Sequence, residues 1–265
     1  MKEASESSGA ILLCGGKGAR FTEAAGNLVP KSLFKVDNKP LLLYSIDALP
    51  YPRFTHLVLA VDHLAETFYT WRETLEVPHS ITFSCQNKPG ILNAITCAME
   101  HLPGEKNNAV CNTDEVRLGL DITEVVEFHK RTKTLGTLVV TSANNLHRHG
   151  VLTVREHDSL VTSFQLKPPQ YRSRPEAVGL VYTGIMLLDK RAVEYFDESH
   201  DKDWMGLIDP LCDAGQLSAY VDPNIIYFNV GTKQEYEEAE LFFRKRPLRT
   251  KAAITTPIFH SPLRI

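Results

Sequence analysis

A predominantly parallel α/β sheet is predicted by three features of this 265-residue chain. Runs rich in Val, Ile and Leu alternate with helix-patterned stretches through its first half. The first such run leads directly into a glycine-rich loop. The length is enough to bury one large domain. A β-α-β-α succession implies mostly parallel strands with helices on both faces.

The elements follow in order. Gly9–Cys14 (GAILLC) reads as a buried strand, and Pro40–Leu49 as a helix with Pro in its first turn. His56–Val61 is the next strand and Leu64–Glu73 the next helix. Ser80–Cys85 precedes a helix over Ile91–His101. Asn108–Cys111 precedes a helix over Ile122–Lys130 and a strand at Gly136–Thr141. After His149 the rhythm changes: Val151–Val154, Leu160–Leu166 and Val178–Leu188 read as a small antiparallel insertion beside the parallel sheet. A helix over Trp204–Ala214, strands at Leu217–Val221 and Ile225–Phe228, and a charged helix over Lys233–Lys245 complete a Rossmann-like domain. The expected boundaries are a flexible N-terminus at 1–8, one domain at 9–245, and an extended, proline-bearing tail at 246–265.

Composition narrows the function classes. A formal net charge of −3 gives no bulk attraction to nucleic acid or to anionic membranes. No apolar stretch approaches the ~20 residues of a membrane span. Five cysteines, an odd number without a CxxC, suit reduced thiols and a cytoplasmic location. Cys14, Cys85 and Cys111 fall in or after apolar runs, so burial is expected of them. The polar, acidic start (MKEASESS) does not read as a signal peptide.

The segment Leu13-Cys14-Gly15-Gly16-Lys17-Gly18-Ala19-Arg20-Phe21 carries the most information. Its glycines let successive amides turn toward one anion-sized hollow, and Arg20 adds a planar cationic fork. Pro30-Lys31-Ser32-Leu33 offers a second cation close by. The loop is neither a P-loop, lacking GK[ST], nor a GxGxxG dinucleotide fingerprint. Taken alone it is equally a glycine turn with two solvated cations.

LCGGKGARF…PKSL resembles the opening of the sugar-1-phosphate nucleotidyltransferases, L-x-G-G-x-G-x-R-L…P-K-P-L. Further motifs follow in the family's order. Lys88-Pro89-Gly90-Ile91-Leu92 is similar to the base-approaching segment, and Asn112-Thr113-Asp114 to the metal motif. His149-Gly150-Val151, Leu166-Lys167-Pro168 and Tyr182-Thr183-Gly184-Ile185 stand for Y-G-V, E-K-P and N-x-G-I. Asn229-Val230-Gly231-Thr232 stands for D-[IV]-G-T.

The resemblance implies a nucleotidyltransferase or GT-A-like fold. It also implies an enzyme that uses Mg²⁺ to transfer NMP from an NTP to a sugar 1-phosphate, releasing pyrophosphate. Gly15, Gly16 and Gly18 with Arg20 would hold the triphosphate, and Gln86 and Gly90 the base. Lys31 would bridge the reacting phosphates, and Lys167 would hold the acceptor phosphate. Gly150, Thr183 and Gly184 would flank the sugar, and Asp114 with Asn229 would take the metal. The partners expected are NTP and sugar 1-phosphate, with no nucleic acid or membrane; homo-oligomerisation stays open.

Each residue also has a plainer reading. Asp114 suits a turn cap, Gln86 an exposed strand end, and Gly150 and Gly184 turn or bulge glycines. His147 and His149 lack a third ligand for zinc.

Asn229 brings no charge where the family has its second carboxylate. Leu166 replaces the glutamate before the lysine, Thr183 an asparagine, and Ser32 a proline. These departures leave two alternatives: a weakened, regulatory nucleotide-sugar binder, or cytidylyl transfer to a non-sugar phosphate.

Overall fold

The computed structural model describes residues 8–16, 29–62, 64–102, 107–201 and 203–245. The N-terminal segment 1–7, Gly18, Arg20 and the tail 246–265 lie outside the described residues.

The central sheet begins with β1 (Ser8–Leu13), β4 (Phe54–Val61), β5 (Ser80–Cys85) and β6 (Asn107–Asn112), all parallel. It continues through β8 (Gly136–Ala143), β9 (Gly150–Val154), β10 (Val161–Leu166), β11 (Gly179–Asp189) and β12 (Leu217–Val221). Among its described strands only β10 and β11 run against the rest. The mixed, mostly parallel sheet is therefore as expected, with one difference. β11 does not lie beside the parallel strands as part of an appended insertion; it pairs with β6, β8 and β9 within the sheet. Its buried Ile185–Leu188 stretch makes this central position favourable.

Alternate residues of each strand enter two separate cores. Ile11, Val58, Val110 and Met186 face α3 (Ile91–Met99) and α5 (Met205–Asp213). Leu12, Leu57, Cys111 and Leu187 face α1 (Leu41–Asp47), α2 (Ala65–Glu73) and α4 (Ile122–Thr132). Helices thus cover both faces. Pro40 is the N-cap of α1, not part of its first turn.

Two small sheets lie apart from the main one, and three of their four strands (35–36, 39–40 and 115–118) carry no clear sequence signal. Lys35–Val36 (β2) and Lys39–Pro40 (β3) form a small antiparallel pair. Glu115–Leu118 (β7) pairs with Ile226–Asn229 (β13) in a sheet of its own. The helix α6 (Lys233–Lys245) packs Ala239 against Val116 and Val230 of this subdomain. Cys14 and Cys111 are buried, and burial pushes both thiols up to about 12. Cys85 corrects the sequence reading: it is exposed, because the last residue of β5 points away from the core. All five cysteines are free. No helix among the described residues is long and apolar enough to cross a membrane.

Candidate active site

β1 and β6 are parallel neighbours that end side by side, with Leu13 opposite Asn112. Their carboxyl ends open together, so the Gly15–Gly16 turn and the Thr113–Asp114 turn share one hollow, the usual place for a ligand in an open α/β sheet. The Thr113 hydroxyl donates to the Leu13 carbonyl at 2.7 Å. Ser32 and Thr113 hydroxyls meet at 2.7 Å, which ties the Lys31–Leu33 turn to the same strand ends. This bond gives Ser32, the residue in place of proline, a structural role.

A cavity of about 310 Å³ lies over these ends and is lined by Gly15, Gly16, Gln86, Gly90, Lys31 and Asp114. A second cleft, of about 930 Å³, runs away from it between β9, β10, β13 and the start of α6. Gly150, Lys167 and Asn229 line this larger cleft together with Lys31 and Asp114. The two spaces share Lys31, Ile91, Asn112 and Asp114.

At that junction Lys31 Nζ donates to Asp114 Oδ2 at 2.5 Å. Lys31 is buried while the Asp114 side chain stays 37% exposed. Burial alone would raise the Asp114 carboxyl, but the Lys31 ammonium outweighs it and holds the group below its ordinary range. Asn229 is brought close by the β7–β13 ladder, where it pairs with Glu115, and by the Val230 amide, which donates to the Asp114 carbonyl at 3.0 Å. Asp114 and Asn229 would offer an ion one carboxylate and one amide oxygen. Among the described residues, no group of three or more His, Cys, Asp or Glu could hold a metal. This sparse set fits Mg²⁺, which takes one or two carboxylates and fills its remaining positions with phosphate and water oxygens.

Lys167 adopts a left-handed backbone (φ 51°), and its amide donates to the His149 carbonyl at 2.8 Å. Burial, reinforced by Arg148, His147 and Lys167, lowers the His149 imidazole to about 4, so at neutral pH it adds no charge to the cleft. Gln86 reaches Asp62 Oδ2 at 3.2 Å at the rim of the small cavity.

Two expected sugar contacts are placed elsewhere. Thr183 is fully buried and its hydroxyl donates to the Val139 carbonyl at 2.9 Å. It does not line the cleft, because its strand turns that side chain into the sheet. Gly184 has φ 73°, and a Cβ there would stand 1.7 Å from Glu115 Oε2. Its bare backbone makes room for a buried ion pair between Glu115 and Arg117, whose guanidinium also donates to the Thr183 carbonyl. Tyr227 donates to the same carboxylate at 3.0 Å. Burial raises the Glu115 carboxyl above its ordinary range, against the pull of Arg117. Sequence reasoning missed this pair. Its signal was two opposite charges, two residues apart, directly after Asp114.

A family model described as Nucleotidyl transferase matches residues 9–246. The mannose-1-phosphate guanyltransferase of Candida albicans is 28% identical over 183 residues, covering 68% of this chain and 50% of that protein. The mannose-1-phosphate guanyltransferase of Saccharomyces cerevisiae is 25% identical over 242 residues, covering 85% and 66%. The chain thus spans between half and two-thirds of the length of these curated relatives. Among solved structures, the UTP-bound UGPase of Acinetobacter baumannii has a TM-score of 0.70 at 18% identity, covering 89% of this chain and 93% of that one.

Proposed function

The chain belongs to the nucleotidyl transferase family, and from that premise we propose that it transfers NMP from an NTP to a sugar 1-phosphate and releases pyrophosphate. One observation carries the reading: the Lys31–Asp114 pair stands where a smaller cavity meets a larger cleft, with Lys167 lining the larger one. A transfer between two bound substrates needs such a junction.

The smaller cavity would hold the NTP. Backbone amides at Gly15 and Gly16 suit the β- and γ-phosphates, with Gly18 and Arg20 completing the loop as the sequence motif predicts. Gln86 and Gly90 would meet the base edge. The larger cleft would hold the acceptor, its phosphate between Lys31 and Lys167 and its sugar near Gly150. An acceptor-phosphate oxygen then attacks the α-phosphorus, and the bond to the pyrophosphate oxygen breaks on the opposite side. The obstacles are repulsion between two polyanions and charge growth on the leaving group. Lys31 answers the first by lying between them, and the loop amides with Arg20 answer the second. Neither lysine needs to change protonation state. Asp114 and Asn229 would hold Mg²⁺, which neutralises phosphate charge when bound.

The test is pyrophosphate release, measured for each nucleoside triphosphate against a panel of sugar 1-phosphates, with and without Mg²⁺. GTP with mannose 1-phosphate is the first pair to try, given the curated relatives. Mg²⁺-dependent release with at least one pair is expected. Silence across the whole panel, with nucleotide still bound, would favour a binding protein over an enzyme.

A further inference from the structure

The first turn of α3 forms the wall between the two cavities, and Ile91 lines both. A helix start exposes N–H groups that the helix itself cannot satisfy. Here Asp201, more than a hundred residues away in sequence, takes the first three. Its carbonyl accepts from the Ile91 amide at 2.8 Å, and its Oδ1 accepts from Leu92 at 2.9 Å and Asn93 at 3.2 Å. The carboxylate also sits against the positive end of the helix dipole. That end is therefore filled by the protein and is not left for a phosphate.

Gly90 is what allows the approach. Its φ is 143°, and a Cβ built on it would lie 2.2 Å from Asp201 Oδ2. A second tie runs parallel to the first, from Lys88 Nζ to Glu198 Oε2 at 2.8 Å. The segment that carries Asp201 is itself braced. Asp197 accepts from the Ser199 amide at 2.9 Å, and the Asp197 amide donates to the Gly206 carbonyl at 2.8 Å. Just beyond it stand Asp203 and Trp204, both in the wall of the larger cleft, with Trp204 stacked edge-on against Tyr182 at 5.5 Å.

We infer that Asp201 is a positioning residue that clasps the Lys88–Gly90 segment of the small cavity to the Asp203–Trp204 wall of the large one, so that one side chain sets the geometry of both. This rests on the proposed assignment of nucleotide and acceptor to those two spaces. Asp201 touches neither substrate; it acts through α3 and through its neighbours in the chain.

The test compares Asp201→Ala with Asp201→Asn and with Asp121→Ala. Asp121 caps α4 through the Thr123 amide at 2.9 Å, on the opposite face of the sheet, and serves as a matched cap deletion. Mg-nucleotide affinity is measured by calorimetry without acceptor, acceptor KM by pyrophosphate release, and amide hydrogen exchange at residues 91–93 and 203–206 by mass spectrometry. Asp201→Ala is expected to weaken nucleotide binding and raise acceptor KM, each about tenfold, the effect of losing one charge-assisted contact. It should also speed exchange in both segments. Asp201→Asn keeps an accepting oxygen and should recover most of both constants. Asp121→Ala should lower thermal stability while leaving both constants within about twofold.

If Asp201→Ala fails to fold, Gly90→Ala forces the same contact apart with the carboxylate still present, and the same paired loss is expected. An Asp201→Ala that lowers stability but moves neither constant, or moves only one, overturns the clasp. So does unchanged exchange at 203–206. A wild type silent with every substrate pair would instead sink the proposed activity, and the exchange result would still decide the clasp.

Discussion

Lys31 and Asp114 are each other's counter-ion, yet their surroundings differ: the lysine is buried and the carboxylate is 37% exposed toward both cavities. Replacing Lys31 should therefore harm the chemical step, since nothing else described at the junction supplies a cation. Lys31→Ala is expected to lower kcat by ~10–100-fold, the range for a lost charge-assisted contact. Lys167→Ala should chiefly raise the KM for the sugar phosphate, because Lys167 lines only the larger cleft. Steady-state kinetics with each substrate varied in turn separates the two, and a Lys167→Ala defect confined to the NTP would contradict the assignment. Gly184 gives a stability test at the same scale. Gly184→Ala puts a methyl group onto the Glu115 carboxylate and forces an L-residue to φ 73°. Denaturant unfolding should show a loss on the order of 2–4 kcal/mol. These residues also show what a sequence can disclose about a site. Lys31, Asp114, Lys167, Gly15 and Gly16, singled out by the ordered family motifs, all line the two adjoining cavities. The family's N-x-G-I motif points to Thr183 and Gly184 as sugar contacts, whereas the Thr183 side chain is buried against Val139 and the space Gly184 leaves is taken by Glu115. Nothing local in the sequence ties Asp201 to residues 91–93.

At the scale of elements, α4 is joined to β8 and β12 by a buried polar chain. His129 Nδ1 meets Thr137 Oγ1 at 2.7 Å, and Ser218 Oγ lies 2.8 Å from that same hydroxyl and 2.9 Å from Thr134. Burial lowers the His129 imidazole from its ordinary 6.5 to about 4, with Asp189 pulling weakly the other way. Because the folded pKa is the lower one, the unfolded chain takes up the proton first as pH falls. This histidine costs no stability above about pH 6.5 and costs progressively more down to about pH 4. Its share of the loss between pH 7 and pH 5 should be about 2 kcal/mol, at 1.36 kcal/mol per pKa unit. Urea melts at the two pH values check this, and His129→Gln should flatten the dependence. The apolar elements were easiest to read from sequence: each of β1, β4 and β8 is a Val/Ile/Leu-rich run. β7 was not legible, since EVRL places Glu115 and Arg117 where a half-exposed strand or loop is the ordinary reading. Both are buried because they pair with each other, a compensation that no single position reveals.

For the molecule as a whole, the proposed function asks a chain of net charge −3 to admit two polyanions and a divalent ion at one junction. On the proposed assignment the ion would be offered Asp114 and the amide oxygen of Asn229, and Asp114 is already paired with Lys31. A single paired carboxylate should hold free Mg²⁺ weakly. Nucleotide phosphates would supply the missing oxygens, and they would also give Lys31 a new partner, releasing the carboxylate. Metal and nucleotide should therefore stabilise the fold together and not singly. A ligand present at 100 times its Kd adds about 2.7 kcal/mol, which for a domain of this size is a rise of roughly 5–10 °C in Tm. Thermal melts should show that rise with Mg-nucleotide, a much smaller one with nucleotide plus a chelator, and none with Mg²⁺ alone at millimolar concentration. Asn229→Asp restores the second negative charge and should let Mg²⁺ alone raise Tm, while lowering the Mg²⁺ concentration at which turnover saturates. Asp114→Asn should erase the metal dependence of the shift and nearly abolish turnover. If Asn229→Asp leaves both the melts and the metal dependence unchanged, residue 229 does not belong to the metal site, and the β7–β13 ladder brings it near Asp114 for packing alone.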